Sequence, residues 1–201
     1  MNVKETLRSS YNQNAKLRDK PDVVPWKLIE RDHFLSLLDK REQTTILDLG
    51  AGTGQHGRYM ADHGFDVTCV DLSPNMVDAC IQKGLKAFEM DMYRLSFEDN
   101  AFDGIWALNS LLHIPKADLL NVLREIRRVL KPGGVFYMGV YGGYNSEGIW
   151  EDDPYQPQRF FSFYDEIAMK EIVSQVFTLQ EFRTVPLDGM KLDFQGIVLR
   201  K

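Results

Sequence analysis

The sequence predicts an α/β protein: a seven-stranded, mostly parallel sheet with helices on both faces, an antiparallel C-terminal hairpin and a helical N-terminal extension. Three observations carry this expectation. The first forty residues hold helical spacing and no convincing strand. From Thr44 onward, short apolar runs alternate with amphipathic stretches across short connections, which is the rhythm of parallel strands joined by helices. The chain then ends in two strand-like runs, Thr178–Val185 and Phe194–Leu199. Their link, Pro186–Asp193, is too short for a crossover helix, so these two strands run antiparallel.

Each element has its own signal. Leu7, Tyr11, Ala15 and Arg18 recur at helical spacing, and Lys20-Pro21 breaks that helix. A second helix starts near Pro25, with Trp26, Ile29, His33 and Leu37 on an apolar face widened by Leu28, Phe34, Leu35 and Leu38. These elements make residues 1–43 an extension of the same domain, whose body is 44–201. Strands are expected at Thr44–Leu49, Phe65–Val70, Leu85–Met90, Ala101–Leu108 and Val135–Tyr141. Between them, one helix runs through Tyr59 and Met60 to Gly64. Another covers Pro74–Lys83, with Pro74 suited to the first turn. A third, Ala117–Leu130, is stopped by Lys131-Pro132-Gly133-Gly134. After the fifth strand, residues 142–164 form a long insertion, and a helix follows at Tyr164–Val176. Long segments at the carboxyl edge of a parallel sheet commonly serve as lids or binding loops.

Composition narrows the function classes. The chain of 201 residues is 44% hydrophobic and 26% charged, as in ordinary globular proteins. Its net charge of −5 offers no general attraction to nucleic acid or an anionic membrane. Arg124, Arg127, Arg128 and Lys131 are a local exception and read as a solvated helix face. No apolar run is long enough for a bilayer, and the polar N-terminus is unlike a signal peptide. Cys69 and Cys80 alone make no disulfide framework, and histidines and cysteines lack metal-ligand spacing. A cytoplasmic protein without a metal is expected.

The most informative stretch is Ile46-Leu47-Asp48-Leu49-Gly50-Ala51-Gly52-Thr53-Gly54. A buried strand ends there, and glycines let the backbone turn tightly and approach a ligand. The next helix offers its free N–H groups at the same place. About twenty residues past the first glycine, Asp71 ends the second strand, where a carboxylate can accept ribose hydroxyls. Together these predict an adenosine-containing ligand. Gly52-x-Gly54-x-x-Gly57 also satisfies the dinucleotide-binding pattern, which keeps a nicotinamide-dependent oxidoreductase as an alternative.

Asp48-x-Gly50-x-Gly52-x-Gly54 at a strand end resembles the first motif of class I, Rossmann-like S-adenosylmethionine-dependent methyltransferases. Later pieces extend the resemblance over nearly all of 44–201: Asp71-Leu72-Ser73-Pro74-Asn75-Met76, Met90-Asp91-Met92, Phe102 to Asn109, and Leu130-Lys131-Pro132-Gly133-Gly134. Ser110 to Pro115 and Arg159 to Tyr164 look like small bacterial members. The resemblance implies S-adenosylmethionine as cofactor, with Asp48, Gly50, Ala51, Gly52 and Gly54 around its methionine end. Asp71 would hold the ribose, Leu72 and Met76 would flank the adenine, and Asp91 with the Met92 N–H would meet the adenine edge. Asn109 lies in the segment passing under the methionine part, and Tyr11 corresponds to an aromatic residue that closes over it. A small-molecule acceptor is implied.

Methyl transfer requires mainly positioning and exclusion of water, so a base is hard to read. His113, just beyond strand four, is the candidate, with helix capping or packing as the structural alternative. His56 is expected to pair with backbone or the N-terminal helices, and His33 and His63 to lie on helix surfaces or ends. Glu147, Glu151, Asp152 and Asp153 make the insertion acidic, which suits either a cationic acceptor or plain solvated charge. Asn109-Ser110-Leu111-Leu112 replaces the Asn/Asp-Pro-Pro-aromatic tetrad of DNA amino methylation. A non-catalytic relative that binds the cofactor and regulates a partner is the remaining alternative.

Overall fold

A computed structural model describes residues 2–19, 24–42, 44–187, 189 and 191–201. The expected break at Lys20-Pro21 lies outside these. Helix α1 spans Val3–Arg18, with the Asn2 side chain accepting from the Lys4 N–H, and α2 spans Pro25–Ser36 with Pro25 in its first turn. Then follow β1 Thr45–Leu49, α3 Gln55–Asp62, β2 Asp66–Asp71, α4 Pro74–Gln82, β3 Lys86–Glu89, β4 Phe102–Leu108, α5 Lys116–Val129 and β5 Leu130–Gly142. The end of the chain carries β6 Ser146–Ile149, β7 Phe160–Phe163, α6 Glu166–Ser174, β8 Thr178–Pro186 and β9 Asp193–Arg200.

The main sheet has seven strands in the order β3-β2-β1-β4-β5-β9-β8. β1 to β5 pair in parallel, while β9 is antiparallel to both β5 and β8, as the short terminal link requires. Alternation along each strand feeds two cores. Leu47, Leu49, Ile105 and Phe136 face α5 residues such as Leu123 and Ile126. Ile46, Trp106 and Tyr137 face Phe34 of α2, Leu38 just beyond it and Met60 of α3. Gly104 sits where α2 crosses, since an added Cβ would stand 3.0 Å from Phe34 and 3.2 Å from Leu38.

Two boundaries differ from the sequence expectation. The stop at Lys131–Gly134 is an irregularity inside β5: pairing with β4 jumps from Phe102–Leu130 to Gly104–Val135, and Gly133 takes φ +74°. The 142–164 insertion is more than a loop. β6 and β7 form a separate antiparallel sheet, because alternation in Phe160-Phe161-Ser162-Phe163 lets Phe161 and Phe163 pack with Trp150.

Candidate functional site

A continuous cleft runs along the carboxyl edge of the parallel strands. A cavity of about 260 Å³ is lined by Leu7 and Lys4 of α1 with Leu72, Met90, Asp91, Met92, Ser110 and His113. It shares Leu7, Leu72, Met92, Ser110 and His113 with a neck of about 60 Å³, where Tyr11, Arg18, Gly50, Gly52, Asp71, Leu108 and Asn109 also meet. The neck opens into a third cavity of about 420 Å³, whose walls include Asp48, Gly50, Ala51, Gly52, Thr53, His56, Trp106, Leu108 and Asn109. Arg18, Lys27, Leu17, Val24 and Tyr155 complete its rim.

Local sequence explains the floor. Gly50, Gly52 and Gly54 all have positive φ, a conformation other residues adopt only with strain. At Gly50 a side chain is also impossible, because a Cβ would stand 2.3 Å from that of Ser110, whose hydroxyl donates to the Leu49 carbonyl at 2.8 Å. A Cβ at Gly52 would meet nothing within 4 Å. That position is kept bare toward the cleft. The Gly52 N–H donates to Asp71 Oδ2 and the Ser73 N–H to Asp71 Oδ1, both at 2.9 Å, so the carboxylate is aimed before any ligand arrives. Burial raises the Asp71 carboxyl above its ordinary range, against those two backbone donors. Asp91 is likewise held, with Oδ1 accepting from the Tyr93 N–H at 3.0 Å and Oδ2 paired to Lys4 at 2.7 Å.

Two expected cofactor residues are not in the cleft. Met76 is fully buried and lines none of the three cavities: Ser73 caps α4, which turns the Met76 side chain into the core. Gly54 is also beneath the surface, where a Cβ would press on Cys80 and Leu85, so its smallness serves packing of the loop on α4.

His113 joins elements far apart in sequence. It is 3% exposed, and its Nδ1 lies 2.7 Å from the Phe160 carbonyl. That contact requires Nδ1–H, which leaves Nε2 to accept from the Tyr11 hydroxyl at 2.7 Å. Tyr11 in turn accepts from Arg159 at 3.0 Å, and Arg159 is paired with buried Asp153 at 2.6 Å. Burial lowers the His113 pKa to about 3. Both nitrogens are engaged and the ring is neutral, so the arrangement suits a positioning residue better than a proton acceptor. The sequence placed Arg159 only in an aromatic segment and Asp153 only among the acidic residues of the insertion, and did not pair them. An arginine opening an aromatic run with an aspartate six residues earlier was the available signal.

The acidic side chains of the insertion do not line the cleft. Asp153 is consumed by Arg159, Glu147 accepts from the Lys116 N–H at 2.6 Å, and exposed Glu151 and Asp152 line none of the cavities described. This removes the ground for a cationic acceptor. Of the basic run, Arg128 pairs with Glu125 and Asp99 and Lys131 with Asp103, while Arg124 and Arg127 lie exposed on α5. His33 pairs with Glu181 at 2.8 Å, and His63 stacks on Tyr59. His56 departs from its expected backbone or helix partner. Its Nδ1 is buried with no hydrogen-bond partner among the described residues, and its ring lies against Trp106 with centroids 5.4 Å apart.

The residues with orphaned polar atoms gather around the cavity of about 420 Å³. Asp48, Asn109, His56 and Trp106 line it, and each has a buried side-chain atom (Oδ2, Oδ1, Nδ1 and Nε1) without a hydrogen-bond partner among the described residues. Such atoms are costly unless a ligand satisfies them. Asp48 is 3% exposed, and burial, then Asp71, raises its carboxyl to about 7 against the lowering effect of the Gly57 N–H. Asn109 carries φ +54°, unusual for a residue other than glycine and common at functional sites. Among the described residues no His, Cys, Asp or Glu group could hold a metal ion, and no helix is long and apolar enough to cross a membrane.

Residues 47–138 match the methyltransferase domain family. Among curated relatives, a 2-methyl-6-phytyl-1,4-hydroquinone methyltransferase of Synechocystis is 32% identical over 161 residues, covering 77% of this chain and 46% of that protein. A sarcosine/dimethylglycine N-methyltransferase of Aphanothece halophytica is 38% identical over 103 residues, covering 46% of this chain and 36% of that one. The chain thus spans less than half the length of these relatives. Among solved structures, the Burkholderia thailandensis 1,6-didemethyltoxoflavin-N1-methyltransferase, with bound 1,6-didemethyltoxoflavin and S-adenosylhomocysteine, superposes with a TM-score of 0.77. It is 22% identical, with 98% of this chain and 88% of that one covered, which is a likeness of fold.

Proposed function

Residues 47–138 match the methyltransferase domain family, and on that premise we propose that the chain moves a methyl group from S-adenosylmethionine to a small-molecule acceptor. One observation carries the proposal. The cleft has aimed carboxylates at Asp91 and Asp71 along one half and two orphaned acceptor oxygens, Asp48 Oδ2 and Asn109 Oδ1, in the other. A ligand with hydroxyls in its middle and an ammonium at its far end fits that series. A pyrophosphate would be repelled by Asp48.

Asp91 and the Met92 N–H would hold the adenine edge beside Leu72, Asp71 the ribose, and Asp48 with Asn109 the amino group at the methionine end. Bound there, S-adenosylmethionine would supply an electrophilic methyl group on a cationic sulfur, which would keep the bonding pair when the acceptor's lone pair takes the methyl. The chain's own work is positioning and water exclusion. Tyr11 covers the neck, held by His113 and Arg159, and Leu7 of the same helix covers the first cavity. His113 holds Tyr11 in place and leaves the proton of any protonated acceptor to solvent or to the acceptor itself. A cytoplasmic setting accords with Cys69 and Cys80 as buried free thiols, and the net charge of −5 accords with a partner other than nucleic acid.

The test is incubation with methyl-labelled S-adenosylmethionine and a panel of small phenols, amines, N-heterocycles and organic acids. Label in an acceptor together with released S-adenosylhomocysteine is expected. Cofactor binding with no transfer to any member of the panel would sink the enzymatic reading.

A further inference from the structure

The large cavity contains an uneven set of charges. Lys27 and Arg18 line it, and neither has a carboxylate partner among the described residues. Arg18 is exposed, spans the cavity and the neck, and donates to the Tyr155 hydroxyl at 3.1 Å. Lys27 is half-buried and lines only the large cavity of the three that form the cleft. Beside it, Trp106 is 0% exposed yet leaves its Nε1–H without an acceptor, and His56 leaves Nδ1 unpaired. Trp106 is held against Tyr137, with ring centroids 4.4 Å apart, so its N–H cannot turn away to find water. Burial and the nearby cations Arg31 and Lys27 keep His56 neutral, which allows Nδ1–H as a second donor.

Charge counting separates this corner from the donor's own site. S-adenosylmethionine brings one carboxylate, and Arg18 stands at the junction with Gly50, Gly52 and Asp71 through which the donor must pass. Lys27, in the same cavity lining as His56 and Trp106, is then left without an anion. Asp48, the one acidic side chain lining this cavity, is claimed by the donor's ammonium.

We propose that Lys27, Trp106 and His56 form a subsite for a carboxylate of the methyl acceptor, so that the substrate is a small organic acid. This rests on the methyltransferase reading above, and it is the opposite of the cationic acceptor that the acidic insertion left open. An acidic acceptor also meets the cationic sulfur of the donor favourably.

The probes are benzoate, neutral benzamide and benzylamine, titrated calorimetrically into protein saturated with S-adenosylhomocysteine. Benzoate should bind roughly tenfold or more tightly than either, Lys27→Gln should remove that preference, and Lys27→Arg should restore much of it. Equal binding of the three, a preference for benzylamine, or a benzoate preference that survives Lys27→Gln would overturn the assignment. A Lys27→Gln protein that loses affinity for S-adenosylhomocysteine while keeping its benzoate preference would assign the cation to the donor's carboxylate, and would overturn it as well. Wild-type protein that fails to bind S-adenosylhomocysteine removes the methyltransferase reading separately. Benzoate selectivity of the unliganded protein still decides the anion subsite in that case.

Discussion

Asp48→Asn should make the unliganded protein more stable while weakening its hold on S-adenosylhomocysteine. Asp48 is 3% exposed, Oδ2 has no partner, and its carboxyl titrates near 7 against an ordinary 3.8. Between those values the folded chain keeps a proton that the unfolded chain has released. Stability therefore falls as pH rises through that window, and the cost is complete above about 7. A displacement of that size corresponds to about 4 kcal/mol. Asparagine removes the charge but leaves an amide N–H where Oδ2 had no partner, at a cost of about 1–3 kcal/mol. The net gain near pH 8 is then about 1–3 kcal/mol, or roughly 2–10 °C in melting temperature for a chain of this size. Near pH 4.5 the gain should vanish or change sign, since both side chains are then neutral. Melts of the two proteins at both pH values, with calorimetric titration of S-adenosylhomocysteine, measure this directly. An asparagine variant less stable than wild type at pH 8, or a stability difference independent of pH, would refute the picture of a buried carboxylate awaiting an ammonium.

Asp71→Ala should weaken S-adenosylhomocysteine binding by about 2–4 kcal/mol in calorimetry, since it removes charged hydrogen bonds to the ribose and frees the Gly52 N–H. Gly50→Ala should lower the melting temperature even without ligand, because its Cβ would collide with Ser110; a normal melt would contradict that contact. Arg159→Met leaves the Asp153 carboxylate buried without its cation, held only by the Arg159 and Tyr155 backbone N–H groups, and should cost about 3–5 kcal/mol in denaturant unfolding, with Asp153→Asn in the same chain recovering part of it. For His113 the unfolded chain takes up a proton first, so its contribution is present above about 6.5 and lost as pH falls toward 3. His113→Asn should flatten that acid loss, whereas the wild-type pH–rate profile should carry no His113 ionisation near 6.5.

The cofactor side was legible because its signals are local. A glycine run at a strand end, an aspartate closing the next strand and Asp91 after the third are set by spacing within single βα units, and the sheet order then lines them up. The core position of Met76 was not legible, because a helix position near a cap looks the same in sequence whether it faces cleft or core. Gly54 was misread for a similar reason, since smallness for packing and smallness for a ligand leave one letter. The tie of Tyr11 to Arg159, 148 positions apart, exists only through tertiary packing. So does the meeting of Lys27 with Trp106 and His56, drawn from α2, β4 and α3. The small β6–β7 sheet was legible only as aromatic alternation, without its partner strand.

The central claim is that this cleft binds a nucleoside with an aminoacyl tail, and calorimetric titration of S-adenosylhomocysteine into the wild-type protein tests it most directly. One molecule should bind per chain, with reduced nicotinamide dinucleotide giving no competition. Absence of saturable binding, or displacement by the dinucleotide, would contradict the account.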